Sequence, residues 1–94
     1  MATFIMYGTY SEEAMEEISA TRTKEAARII EKEQGKVSAM YALLGAEDLL
    51  FIVEFPDIKR AMRASVALQR ATGIAFSSTE AIPVAEFDAL MSKD

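Results

Sequence analysis

The sequence predicts a ferredoxin-like α+β domain: a four-stranded antiparallel sheet of βαββαβ order, both long helices on one face, and a short helix at the C-terminus. Three observations carry this. Short runs rich in aromatic, β-branched and other apolar residues recur four times along the chain. Two longer segments between them have helical periodicity, each with a capping residue at its start and a glycine at its end. Pro83 then opens a last, shorter helical segment. A chain of 94 residues is long enough for one domain, residues 1–94, with one core.

The elements follow in order. Residues 3–10 form the first strand. Ser11 is a helix N-cap, and Glu12 and Glu13 place acids in the first turn, where the helix dipole favours them. The helical pattern runs to Gln34 and stops at Gly35, with a weak stretch at Ser19-Ala20-Thr21 where it kinks or restarts. Residues 36–44 and 49–55 are strands joined by a hairpin turn, Gly45-Ala46-Glu47-Asp48. Pro56 ends the third strand, and Asp57 caps a helix that runs to about Thr72 and stops at Gly73. Residues 74–81 form the fourth strand, and 84–92 the final helix. Right-handed crossovers put both long helices on one side of the sheet.

Alternation along the strands then predicts a homodimer. In the third strand Leu49, Phe51, Val53 and Phe55 lie on one face, and Asp48, Leu50, Ile52 and Glu54 on the other. In the second, Val37, Ala39, Tyr41 and Leu43 oppose Ser38, Met40, Ala42 and Leu44. In the first, Phe4 and Met6 oppose Ile5 and Tyr7. Both faces are largely apolar, and two helices cover only one. A second copy packed sheet to sheet is the simplest cover for the other.

Composition narrows the chemistry. The net charge is −5 and the chain has no basic block, which argues against nucleic acid and anionic membranes as partners. No apolar run approaches the ~20 residues that span a bilayer, and the N-terminus does not resemble a signal peptide. A cytoplasmic location is the expectation. There is no cysteine and no histidine. This excludes thiolate nucleophiles, histidine triads and most zinc sites, and no metal or cofactor is expected.

The candidate site rests on Arg22. Were the helix continuous, Met15, Ile18, Ala26 and Ile29 would share a face with Arg22 near its middle. A guanidinium facing a core must be paired or wet. Three readings stand: a helix break that rotates Arg22 outward, a structural ion pair, or an anchor for an anionic ligand group. Glu54 is the first choice of partner and Asp48 the second. These two acids are separated by roughly 20 Å of strand, too far for an acid/base pair, and Asp48 also suits closure of the hairpin. On the second long helix the inner stripe reads Ile58, Ala61, Met62, Ser65, Leu68, Gln69 and Thr72, with Gln69 and Thr72 as candidate pocket residues or a wet margin. Tyr7, Tyr10 and Tyr41 either bring hydroxyls to the same space or belong to the core.

These residues also carry a family resemblance. Phe4-Ile5-Met6-Tyr7-Gly8, Thr21-Arg22-Thr23 ahead of Ala26-Ala27, and Gly35-Lys36-Val37 come first. Leu44-Gly45-x-x-Asp48, Glu54-x-Pro56-Asp57, Thr72-Gly73 and Thr79-x-Ala81 continue the series. Together they resemble the GYD-domain family of the dimeric α/β-barrel superfamily, over nearly the whole chain. Glu47 stands where the family's signature has tyrosine. The resemblance implies a ferredoxin-like fold that dimerises through its sheets, and it places Arg22, Asp48 and Glu54 at recurring polar positions. The expected function is a non-catalytic homodimer that binds a small organic or anionic ligand or serves a regulatory role. The rivals are a cofactor-independent monooxygenase- or isomerase-like enzyme, as in some relatives of that superfamily, and a purely structural subunit.

Overall fold

The computed structural model describes residues 1–93. The elements are β1 (Ala2–Tyr10), α1 (Glu12–Glu16), α2 (Ala20–Lys32), β2 (Lys36–Ala42), β3 (Leu49–Phe55), α3 (Ile58–Thr72), β4 (Ile74–Ala81) and α4 (Val84–Met91). The four strands form one antiparallel sheet in the order β2-β3-β1-β4, the ferredoxin-like arrangement that the pattern predicts.

The core lies between one face of the sheet and the helix pair α2 and α3. From the strands come Phe4, Met6, Phe51, Val53 and Phe55; from the helices, Ala26, Ile30, Ala61, Ala64 and Leu68. Phe4 and Phe55 meet edge to face at 5.9 Å between ring centroids, a favourable quadrupole geometry. The alanines let α3 sit close to the strands. Gly8 does the same for the sheet's own side chains, because a Cβ there would come within 2.8 Å of the Phe76 ring.

The first long helix restarts at the weak Ser19-Ala20-Thr21 stretch, as expected: α1 ends at Glu16, and Ser19 restarts the chain by accepting a hydrogen bond from the Arg22 amide at 3.1 Å. Two local expectations are corrected. The left-handed residue after α2 is Gln34 (φ 64°), not Gly35. Gly35 is needed for another reason: a Cβ there would lie 2.6 Å from Ile30 Cγ2 and from Phe55 Cε1. In β2 a bulge shifts the register between Val37 and Ala39. Val37 pairs with Val53 and Met40 with Phe51 on the helix side, whereas Ala39 and Tyr41 pair with Ile52 and Leu50 on the other side. Val37, Ala39 and Tyr41 therefore do not share a face. A bulge adds one residue to one strand, and simple alternation inverts beyond it.

The opposite, open face of the sheet carries Ile5, Tyr7, Ala39, Tyr41, Leu50 and Ile52 across three adjacent strands. Among the described residues no helix lies over it. The final helix stands apart too, with no buried residue. The molecule measures 53 × 29 × 18 Å, and its Cα radius of gyration of 14.5 Å exceeds the ~12.5 Å of a compact chain this long.

Candidate functional site

The break between α1 and α2 builds a small site. Ser11 Oγ accepts the Ala14 amide at 3.0 Å and starts α1, which then lasts only five residues. The last carbonyls of so short a helix need outside partners. Arg22, half-buried in the first turn of α2, supplies one: its Nη1 donates to the Ala14 carbonyl. The same guanidinium lies over the Tyr10 ring, 5.1 Å from the centroid. One side chain thus ties α1, α2 and the end of β1 together.

Beside it is a cavity of about 230 Å³, bordered by Tyr10, Ile18, Arg22, Met40, Tyr41 and Phe51 among others. Its walls are mainly apolar, with Arg22, Thr23 and Tyr10 as polar groups, and Tyr41 borders it from a strand position whose side chain lies on the open face. The volume falls below the ~300 Å³ at the lower end of drug-sized sites, so it suits a small organic molecule. A guanidinium has five N–H donors, and its bond to Ala14 leaves others for an anionic group.

The structure brings Arg22, Tyr10 and Tyr41 to this cavity and disperses the other candidates. Glu54 alternates with the buried Val53 and Phe55, so it lies on the open face, opposite Thr3 and Lys36. It cannot meet Arg22, which lies on the helix side, and neither Glu54 nor Asp48 is the Arg22 partner. Asp48 accepts the Tyr10 amide at 2.8 Å, and its own amide donates to the Gly8 carbonyl at 2.9 Å. It closes the β2–β3 loop onto β1 and fixes the strand end that presents the Tyr10 ring. Tyr7 stands on the open face beside Leu50.

Gln69 is exposed, while Thr72 is buried; Thr72 Oγ1 donates to the Leu68 carbonyl at 2.6 Å and accepts the Ile74 amide at 3.3 Å. Neither borders the cavity. The cause is the rotation of α3, which turns Ala61, Ala64, Leu68 and Thr72 inward and leaves Ile58, Met62 and Val66 exposed. Ile18, Thr23 and Met40 enter the site unforeseen. Met40 does so through the bulge, and the other two through the helix break.

A second polar cluster also lacked a sequence signal. Glu33, just past α2, is buried and accepts Arg63 Nε at 2.8 Å and Arg60 Nη1 at 3.4 Å. The hydrogen bond from Arg63 and the two guanidinium charges hold its carboxyl below the usual carboxylate value, outweighing the opposing effect of burial. Among the described residues no group of His, Cys, Asp or Glu is arranged to hold a metal ion, and no helix is long and apolar enough to cross a membrane.

Comparison with known proteins places this geometry. The chain is 34% identical over 89 residues to the glutamine synthetase and cystathionine beta-lyase binding protein of Thermus thermophilus, covering 92% of this chain and 94% of that protein. The fold matches the leucine response regulatory protein LrpA of Mycobacterium tuberculosis with a TM-score of 0.58 at 12% identity, over 87% of this chain and 51% of that one. A second solved structure, of a point mutant, matches with the same TM-score at 11% identity, again over 87% of this chain and 50% of the other. The chain thus spans about half the length of the solved proteins it resembles, and that likeness concerns the fold alone. The GYD-domain profile matches residues 4–91, and the protein belongs to the GYD-domain family.

Proposed function

We propose that the protein is a homodimeric binding domain with a regulatory, non-catalytic role, and that its binding target is a metabolic enzyme. The observation that carries this is the open face of the sheet. Ile5, Tyr7, Ala39, Tyr41, Leu50 and Ile52 form a contiguous apolar band there, a surface that monomers seldom leave in water. A standard interface buries on the order of 800 Å² per protomer, about an eighth of the 6526 Å² surface of this chain. The sheet face is the place to find it. A chain with neither histidine nor cysteine is poorly equipped for proton transfer or nucleophilic attack near neutral pH. The Thermus relative, named for binding glutamine synthetase and cystathionine beta-lyase, supports an enzyme as target.

Sedimentation of the purified protein with purified glutamine synthetase or cystathionine beta-lyase tests the target. A complex with either supports it; no complex with either removes it. Light scattering on the protein alone tests the dimer separately.

The Arg22 cavity favours a second reading, in which a small organic acid modulates that binding. Its carboxylate would meet the guanidinium, and its apolar body would meet Met40, Ile18 and Phe51. Calorimetric titration with a panel of small carboxylates checks this, and Arg22→Met should abolish any heat observed.

A further inference from the structure

Arg22 is a half-buried charge without a carboxylate. The ion pairs among the described residues are those of Glu33 with Arg60 and Arg63, and neither involves Arg22. Its Nη1 donates to the Ala14 carbonyl, and its guanidinium lies over the Tyr10 ring. Among the described residues its Nε and Nη2 donate to nothing. These two nitrogens form one edge of the guanidinium, a fork that matches both oxygens of a carboxylate.

The cavity beside it has a one-sided chemistry. Ile18, Ala26, Met40, Leu49, Phe51 and Ile74 give it apolar walls, and no Asp or Glu borders it. The acids of the neighbouring helices face elsewhere. Glu12 and Glu16 of α1 line a separate hollow with Ser11 and Met15, and Glu25 of α2 borders the groove between α2 and α3. The volume of about 230 Å³ is that of roughly eight water molecules at the ~30 Å³ each occupies in the liquid. A ligand of about eight non-hydrogen atoms therefore fills it, with roughly five carbons beyond its carboxylate.

One cation set against apolar walls selects by charge. A monocarboxylate with an apolar body satisfies both the fork and the walls. An amino acid of the same skeleton adds an ammonium on the carbon next to the carboxylate. Held at the fork, that ammonium lies close to the guanidinium, which repels it, and no acid is present to replace its lost water. An oxo group at the same carbon adds an acceptor and no charge.

We infer that the Arg22 cavity takes a small apolar monocarboxylate without an α-ammonium group and discriminates against the amino acid of the same skeleton. This rests on the organic-acid site proposed above and adds its chemical class. The carboxylate meets Nε and Nη2 of Arg22, and the carbon chain lies against Met40 and Phe51. A saturated acid and a 2-oxo acid share this chemistry.

Calorimetric titration of the purified protein with 4-methylpentanoate, 4-methyl-2-oxopentanoate and leucine, three compounds of one skeleton, tests it. At least one of the two acids should bind, and leucine should bind on the order of tenfold more weakly or worse. Arg22→Lys keeps the charge and loses the fork, and should weaken the acids on the order of tenfold. Ala42→Phe, at an exposed residue that borders the cavity, should fill it and abolish binding while the circular-dichroism melt stays that of the parent. A tighter 2-oxo acid assigns the ligand to that source and a tighter saturated acid to the other; both support the inference. Leucine binding as tightly as the acids overturns the discrimination and leaves the organic-acid site standing. No binding of any of the three removes the site itself. Binding of the acids that neither Arg22→Lys nor Ala42→Phe diminishes lies outside this cavity and overturns the inference as well.

Discussion

At the end of α2 the backbone divides two tasks between neighbouring residues. Gln34 takes the left-handed turn while its amide donates to the Glu31 carbonyl and that of Gly35 to the Ile30 carbonyl, both at 2.9 Å. Gln34→Gly should stabilise by about 1 kcal/mol or less, the cost of a Cβ at positive φ reduced by the entropy glycine adds to the unfolded chain. Gly35→Ala should destabilise by roughly 1–3 kcal/mol, since its Cβ would press on Ile30 and Phe55 inside the core. Thermal melts of the two variants should move in opposite directions. For Arg22, replacement by Met should cost about 1 kcal/mol, because the Ala14 carbonyl loses its side-chain donor and keeps only the Glu17 amide. Adding Glu54→Gln should restore none of this, as that acid lies across the sheet. Caps at Ser11, Asp57 and Gly73 were legible because serine, aspartate and glycine have distinctive local chemistry. Nothing in the type of Gln34 announces a left-handed backbone.

Elements fall where periodicity and caps indicate, but their rotations follow tertiary packing. The stripe of α3 contains apolar residues over too wide an arc to name its inner edge. The small Ala61 and Ala64 pack closest to the sheet, and the larger Ile58 and Met62 are turned out. The bulge in β2 hides in a run where both alternations are apolar. Between α2 and α3, the buried Glu33 accepts both arginines, a pairing that requires the fold to bring the two helices together. The folded state depresses the pKa of this carboxyl below the usual carboxylate value. Its contribution is therefore fully present above that value and is lost as pH falls through the lowered folded one. Glu33→Gln should flatten the acid limb of a stability-against-pH curve measured with urea, leaving its form at neutral pH unchanged. An acid limb as steep as that of the parent would show that other carboxyls dominate it.

At the scale of the whole molecule, strand alternation alone revealed two apolar faces, and that signal survives the bulge because β1 and β3 form the centre of the sheet. The small site was less legible. Arg22 could be singled out, but its partner is a main-chain carbonyl created by a helix break, and main-chain acceptors leave no trace in side-chain patterns. The two faces of β3 separate folding from association. Phe51 is buried among Met6 and the helices, so Phe51→Asp leaves an unpaired carboxylate in the core. It should cost on the order of 3–5 kcal/mol and unfold much of the protein. Leu50 is the adjacent residue but lies on the open face, paired across to Tyr7 and Tyr41. In a single chain its carboxylate would remain in water, whereas in a sheet-to-sheet dimer it would be trapped between two apolar surfaces. Leu50→Asp should therefore keep the circular-dichroism spectrum of the fold and give a monomer by light scattering. A Leu50→Asp protein that remains dimeric would place the interface elsewhere, and a Phe51→Asp protein that melts like the parent would contradict the core itself.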